Sequence, residues 1–191
     1  MMTSIRHWVA IGALASAATA AGAQSLYIGA AGGATRSNAD CTGTVSCDNG
    51  DTGWKAYAGY NINPMLGVEV VAYDMGGTSG AVFIPGFSLI NASLKTTGFA
   101  LAGVINVPLG TSIDLMGRLG VGSNKLKVTA SSGGLSGSDS ETSTQALWGI
   151  GLAFKVNPSV ALRTEIDGTS ATYAGERFDS TLFSLGVSIR F

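Results

Sequence analysis

The sequence has 191 residues, a length that suits one barrel or sandwich domain. Charged residues make up only 12% of it, about half the share usual in soluble domains, while its 28 glycines are about twice the usual number. The formal net charge of −1 excludes the basic surface that nucleic-acid binding requires. This composition favours a β-protein that does not face water on every side.

The N-terminus has the three parts of a secretory signal peptide. The basic residue Arg6 precedes an uncharged apolar run at residues 8–20, and the small residues 21–23 suit a cleavage site. The alternative is a membrane-anchoring helix, but the run is rich in Gly and Ala and shorter than the roughly 20 residues that a span needs. We therefore predict a signal peptide at residues 1–23 and a mature domain at residues 24–191.

Two cysteines, Cys41 and Cys47, lie in a polar segment of this exported chain, which favours a local disulfide bond. The chain-entropy model allows about 2 kcal/mol for so small a ring, so the bond would stiffen a loop rather than hold the fold. A metal site is the alternative, but no histidine or further cysteine lies near the pair. We therefore expect neither a bound metal nor a cofactor.

Eight segments of the mature chain alternate between apolar and polar or small residues, as strands with one apolar face do. They are Ser25–Thr35, Gly53–Asn63, Met65–Met75, Ser93–Val107, Ser112–Val128, Thr142–Val156, Ser159–Ala171 and Ser180–Phe191. Tight turns with Pro, Asn or Gly lie at residues 60–64, 107–111 and 156–158, and longer polar segments lie at residues 36–52, 76–92, 129–141 and 172–179.

Short and long connections therefore alternate along the chain. Such connections join antiparallel neighbours, with the short turns at one end and the long segments at the other. The sequence predicts an all-β fold, an eight-stranded antiparallel up-and-down β-barrel that leaves no free edge.

Alternation alone does not say which face of the barrel is inside. A lipocalin-like soluble barrel places its apolar residues inside, whereas an outer-membrane barrel places them outside. Small residues on the polar face and aromatic residues near the strand ends favour the membrane barrel. The apolar-face aromatics are Tyr60, Phe154 and Phe191 towards the tight turns and Trp148 and Phe183 towards the long segments. A strand of roughly 10 residues, tilted near 40°, also spans the apolar band of about 25 Å.

Four stretches resemble the transmembrane domain of the OmpA family of outer-membrane proteins. They are AYAGYNINPMLGVEVVAYD (Ala56–Asp74), SIDLMGRLGVG (Ser112–Gly122), VNPSVALRTEID (Val156–Asp167) and DSTLFSLGVSIRF (Asp179–Phe191). The resemblance implies a transmembrane barrel in the bacterial outer membrane, with tight turns in the periplasm and long connections outside. It also implies contact with outer-membrane lipid and lipopolysaccharide.

The last strand resembles the signal that the outer-membrane insertion machinery recognises, with Phe183 and Phe191 as its aromatic residues. Because the last strand is followed by nothing in this sequence, we expect it to lack the periplasmic domain of full-length family members. It is similar instead to the barrel-only OmpX-like and opacity-type surface proteins, which leads us to expect a monomer.

Side-chain parity places eight charged residues on the inward face: Lys55, Glu69, Asp114, Arg118, Lys155, Arg163, Glu165 and Asp167. Charges of both signs in a narrow interior should pair, because an unpaired buried charge costs several kcal/mol. The resembled family has a lumenal charge network that blocks or gates a narrow pore, and Glu69, Arg118, Arg163 and Glu165 match its positions. Two further positions are Val104 and Ala153 here, so an inherited gate is in doubt, and mutual pairing in a closed lumen is the favoured interpretation.

Catalysis is disfavoured. Small outer-membrane barrels that are hydrolases resemble one another in using a histidine base, and the only histidine here, His7, lies within the predicted signal peptide. The carboxylates Glu165 and Asp167 are explained by lumenal pairing. We therefore expect a structural, surface-contact role of adhesion type, with a host or surface ligand bound by the long segments, and a low-conductance pore as the alternative. The Ser- and Gly-rich segment at residues 129–141 is expected to be a flexible, solvated loop.

Overall fold

The computed structural model describes residues 26–38, 46–48, 50–82, 90–132 and 135–191. The predicted signal peptide and Cys41 lie outside these ranges, and of Cys47 only the backbone is described. The signal peptide and the disulfide bond therefore stay predictions. Within the described ranges, no helix has the length and apolar character needed to cross a membrane.

Nine β-strands make up the described secondary structure. They are β1 (Leu26–Ser37), β2 (Ser46–Asp48), β3 (Gly50–Asn61), β4 (Leu66–Val82), β5 (Ile90–Pro108), β6 (Ile113–Ser132), β7 (Leu135–Lys155), β8 (Val160–Tyr173) and β9 (Glu176–Arg190). Every strand pair is antiparallel, and sequential neighbours pair around a ring that β1 and β9 close. The short β2 continues the β3 position against the far end of β4. The predicted eight-stranded up-and-down barrel is confirmed.

Two of the three short turns at one end of the barrel are held by asparagine side chains. The Asn63 carbonyl accepts hydrogen bonds from the backbone N–H groups of Met65 and Leu66, both at 2.8 Å. Asn157 does the same for Ser159 and Val160, at 2.9 and 2.8 Å. A side chain that satisfies the turn backbone in this way fixes a tight connection, so these turns, together with residues 109–112, define the short-turn end of the barrel.

The strands at the opposite end are longer than the sequence predicts. The described part of the segment expected to be a flexible loop, residues 129–132 and 135–141, is instead paired, with Thr129 opposite Ser138 and Lys127 opposite Ser140. That prediction is wrong, because ladder hydrogen bonds to a neighbouring strand override the weak strand propensity of Ser and Gly. We call this end of the barrel the long-hairpin end.

The hairpin between β8 and β9 also replaces a predicted loop, the one at residues 172–179. Tyr173 pairs with Glu176 across a two-residue turn. Both central residues have positive φ, 50° at Ala174 and 85° at Gly175. Two positive φ values match the type I′ turn, whose twist suits a β-hairpin.

The two faces of the barrel divide as an outer-membrane barrel requires, with apolar side chains outside. The exposed fractions of Leu119, Val121 and Leu185 are 70%, 64% and 67%. The five aromatics expected at the strand ends also point outward: Tyr60, Trp148, Phe154, Phe183 and Phe191. The outward apolar residues form a belt around the barrel, and we call it the apolar belt.

Candidate functional site: the lumenal charge cluster

Glycines on the inward face make room for two tyrosines that cross the lumen. The Tyr27 ring lies over Gly59, where a Cβ would come within 2.3 Å of the ring, and the Tyr57 ring lies over Gly29 at the same distance. The two rings contact edge to face, with centroids 6.5 Å apart. Neither tyrosine was singled out from the sequence, although their inward parity was available as a signal.

Six of the predicted inward charges meet beside these rings. Three cations and three carboxylates form one buried group, which we call the lumenal charge cluster: Lys55, Glu69, Arg118, Arg163, Glu165 and Asp167. None of these residues is more than 7% exposed. The formal charges cancel, as burial in a narrow interior requires.

Glu69 pairs with both arginines of the cluster. Its carboxylate accepts from Arg118 Nε at 2.8 Å and from Arg163 Nη1 at 3.1 Å. The Tyr27 hydroxyl donates a third hydrogen bond to Glu69, at 2.9 Å. The Arg163 guanidinium also lies over the Tyr57 ring, 4.2 Å from its centroid, which adds a cation–π contact.

The other two carboxylates link the remaining cations. Arg118 Nη1 lies 2.5 Å from Asp167 Oδ1 and 3.2 Å from Glu165 Oε2. Lys55 donates to both Glu165 and Asp167, and Arg163 Nε donates to Glu165. Each charged group thus has at least two partners of opposite sign. Breaking one such pair strongly destabilises a protein, because it leaves an uncompensated buried charge.

The last two predicted inward charges form a separate pair at the short-turn end. Lys155 Nζ lies 2.7 Å from Asp114 Oδ1, and the lysine side chain is 34% exposed. Asp114, Lys155, Arg163 and Arg190 border a cavity with an empty volume of about 490 Å³, which includes open solvent. Water therefore reaches one side of the barrel interior at this end.

Apolar side chains lie beside the charge cluster on both of its sides. Val104, Met116 and Ala153 form a buried group beside the cavity. Two of these are the positions at which the chain differs from the resembled family network. Towards the long-hairpin end, Leu147 and Leu182 are 1% and 0% exposed within a second apolar group.

A second polar group, centred on Asn124, lies further towards the long-hairpin end. Asn124 is fully buried, donates to Thr169 Oγ1 at 2.8 Å and to the Ser170 carbonyl, and accepts from the Tyr73 hydroxyl. Sequence reasoning missed this group because it followed charges, and these residues are neutral. Among the described residues, the lumen thus contains both apolar and hydrogen-bonded layers.

The family comparison agrees with this geometry. The model of the outer membrane protein beta-barrel domain matches residues 8–191. The chain belongs to this family. Proteins of the family are barrels of the bacterial outer membrane, and the outward apolar belt places this chain there as well.

Curated relatives carry the name outer membrane protein A. The protein of Shigella flexneri is 32% identical over 141 residues, which are 71% of this chain and 39% of the relative. The protein of Klebsiella pneumoniae is 32% identical over 149 residues, 75% of this chain and 42% of the relative. The chain spans about two fifths of the length of the curated relatives it matches.

Two solved structures show the same fold. Ail, the attachment invasion locus protein of Yersinia pestis, has a TM-score of 0.56 at 20% identity, and the match covers 89% of this chain and 100% of the Ail chain. Neisserial surface protein A has a TM-score of 0.58 at 18% identity, and the match covers 89% of this chain and 99% of that protein's chain. These likenesses extend over almost the whole barrel.

Proposed function

We propose that this protein acts by surface contact of adhesion type, through the paired strands that project from the long-hairpin end. The observation that carries the proposal is the length of β6 and β7, 20 and 21 residues. At 3.3 Å per residue and a tilt near 40°, such a strand is about 50 Å tall, roughly twice the apolar band of about 25 Å. About half of each strand therefore extends beyond the lipid.

The projecting part has the surface of a solvated contact region. Every residue of β7 from Leu135 to Thr142 is exposed, and seven of these eight residues are polar or glycine. Ladder pairing to β6 holds this surface in one shape, which lowers the entropy lost on binding compared with a flexible loop.

A structural relative supports the same kind of contact. Ail of Yersinia pestis has been solved in complex with the heparin analogue sucrose octasulfate, and that structure has a TM-score of 0.52 to this chain. We extend to this protein only the idea of a surface ligand at the long-hairpin end.

The test shortens the β6–β7 hairpin without disturbing the barrel. Residues 129–138 are replaced by Asn-Gly, which joins Val128 to Asp139, a pair that already lies in register. Bacteria that display the shortened protein should attach to epithelial cells or immobilised sulfated glycan at the level of bacteria without the protein. Attachment equal to that of the unchanged chain contradicts the proposal.

The control for this test is Gly103→Ala, a change on the apolar belt whose added Cβ would make only an ordinary van der Waals contact, 3.8 Å from the Leu119 carbonyl oxygen. It should insert and attach like the unchanged chain. Folded protein is quantified for all variants by heat-modifiable mobility on a denaturing gel, so that attachment is compared at equal amounts of barrel.

The alternative function is a narrow, low-conductance pore. The solvent-open cavity at the short-turn end favours it, because Arg163 of the charge cluster borders that cavity. Planar-bilayer recording on refolded protein separates the two functions. Reproducible openings that disappear in Arg163→Ala or Glu69→Ala would favour the pore, and a silent bilayer would favour the closed lumen.

We propose no catalytic role. The six residues of the lumenal charge cluster are paired with one another, and the sole histidine of the sequence, His7, lies in the predicted signal peptide. A lipase or protease assay on the refolded barrel tests this, and turnover that survives repurification would contradict it.

A further inference from the structure

Three lysines lie together on the outward face of β5 and β6. Lys95, Lys125 and Lys127 are all exposed, and their parity is that of the apolar belt below them. Lys95 lies directly opposite Lys127 in the β5–β6 ladder, and Lys125 is two residues nearer to the belt. We call these three residues the lysine surface.

The lysine surface is only partly neutralised by the protein. Lys95 Nζ lies 2.8 Å from Asp74 Oδ2. Within the described part of the chain, neither Lys125 nor Lys127 has an ion pair or a side-chain hydrogen bond. Like charges directly opposite each other in a ladder are destabilising, so an external anion at this surface would be stabilising.

The height of these lysines fits the headgroup layer of the membrane. Lys125 is 12 residues above Ile113, the first outward apolar residue of β6, which is about 30 Å at the usual rise and tilt. The apolar band is about 25 Å tall, so the Lys125 backbone lies roughly 5 Å beyond it. Phe99 pairs with Ser123 at the upper limit of the belt.

The surroundings are hydroxyl-rich and lack competing carboxylates. Thr97 and Thr142 lie opposite Lys125, and Ser140 lies opposite Lys127. Ser123 and Thr129 lie two residues from these lysines along β6, with the same outward parity. The acidic residues of β7, Asp139 and Glu141, have the opposite parity and contact the β8–β9 hairpin. Within the described strands β4 to β7, Asp74 is the one outward carboxylate of this region.

We propose that the lysine surface binds the phosphate groups of an outer-leaflet lipid, namely the phosphorylated lipid A headgroup of lipopolysaccharide. Ammonium and hydroxyl donors together suit a phosphate monoester that is held at the membrane surface. The site adjoins the apolar belt, so the acyl chains of the same lipid would contact Phe99 and Val121. A soluble polyanion has no such second contact. The site is independent of the surface contact proposed above, because the shortened β6–β7 hairpin retains all three lysines.

The test measures lipid binding by native mass spectrometry of the full-length mature barrel in detergent. The unchanged chain should retain bisphosphorylated lipid A and lose it when the phosphates are removed enzymatically. Lys125→Gln/Lys127→Gln should weaken retention by about 30-fold, since each basic residue near an anionic lipid surface contributes a factor of roughly five. Lys125→Arg/Lys127→Arg should retain binding, and Arg177→Gln on the distant β8–β9 hairpin is the matched charge-removal control.

Three results would overturn the proposal. The first is equal retention of phosphorylated and dephosphorylated lipid by the unchanged chain. The second is equal retention by the double Gln and double Arg variants. The third is displacement by inorganic phosphate or sucrose octasulfate at concentrations equal to the lipid, which would show a soluble anion site. If the double Gln variant lacks folded mobility, Lys125→Gln alone is compared with Lys125→Arg.

Discussion

Glu69 is the residue on which most lumenal contacts converge, because it binds Tyr27, Arg118 and Arg163. Parity and the family resemblance together identified Glu69, and charge balance indicated that it would pair. Neither indicated that one carboxylate would serve both arginines. That outcome depends on the small residues opposite, which let long side chains reach across the barrel.

Removing the Glu69 carboxylate should lower the free energy of unfolding far more than removing the Asp114 charge, which lies beside the solvent-open cavity. Glu69→Ala leaves two buried guanidinium groups in an excess of positive charge, and we expect the free energy of unfolding to fall by about 3–5 kcal/mol. Asp114→Asn breaks a pair whose lysine is 34% exposed and should cost less than about 1 kcal/mol. Urea unfolding in lipid vesicles, followed by tryptophan fluorescence, measures both. Similar losses in the two variants would refute the buried-cluster account.

Gly59 tests the space that Tyr27 needs. Gly59→Ala places a Cβ within 2.3 Å of the Tyr27 ring, so the ring must shift away from Glu69, at a cost of about 1–3 kcal/mol. Gly103→Ala, on the outward face, should change the free energy of unfolding little. If Gly59→Ala is as stable as Gly103→Ala, the tyrosine does not occupy this position. Adding Tyr27→Ala should reduce the cost of Gly59→Ala, because the clash is then gone.

At the scale of elements, the sequence pattern predicted the central part of each barrel strand but not where the strands at the long-hairpin end stop. The eight predicted strands overlap the eight barrel strands, because the 2-residue period is strong where one face meets lipid. Beyond the lipid both faces meet water, so the period fades, and β6 and β7 continue through Ser- and Gly-rich sequence by pairing alone. Amino-acid composition does not predict strand pairing where both paired segments are polar, because neither has an apolar face.

Outside the membrane, Asp179 forms hydrogen bonds that link the two strands of the β8–β9 hairpin and connect them to the end of β1. A hydrogen bond from Ser170, at 2.6 Å, and the nearby Arg177 lower the pKa of the Asp179 carboxyl below its ordinary value of 3.8. The Asp179 backbone N–H also donates to Asn38 Oδ1 at 2.8 Å. A carboxylate with a lowered pKa stabilises the folded hairpin above pH 3.8, and this contribution disappears as pH falls through the folded-state value.

We therefore expect the hairpin amides at residues 172–177 to be better protected from exchange than in Asp179→Asn above pH 3.8, and to lose that extra protection as the pH falls below 3.8, until the two proteins exchange alike. Hydrogen–deuterium exchange with mass spectrometry measures this, and peptides from β6 serve as the internal reference. The Asn variant should show no such acid transition. A transition of equal size in both proteins would exclude Asp179 as its cause.

For the whole molecule, closure of the ring depends on the β1–β9 pair. Eleven residues of each strand lie in register, from Tyr27 with Arg190 to Ser37 with Ser180. The alternating connection lengths predicted this closure, since eight up-and-down strands bring the first and last together. The sequence could not predict the layering of the lumen, because the apolar group at Val104 and Ala153 forms only when β5, β6 and β7 lie side by side.

The last outward aromatic, Phe191, tests whether assembly and stability are separate properties of this barrel. Its backbone N–H donates to the Leu26 carbonyl at 2.9 Å, and its side chain is 58% exposed on the lipid side. Phe191→Ala keeps the backbone bond, so the free energy of unfolding after refolding in vesicles should fall by no more than about 1 kcal/mol.

If Phe191 is part of the assembly signal, the folded fraction of Phe191→Ala in cells should fall severalfold. Phe154→Ala removes an outward aromatic at the same end of the barrel, outside the last strand, and is the matched control. Equal folded fractions for Phe191→Ala and the unchanged chain would show that the aromatic serves only the lipid boundary.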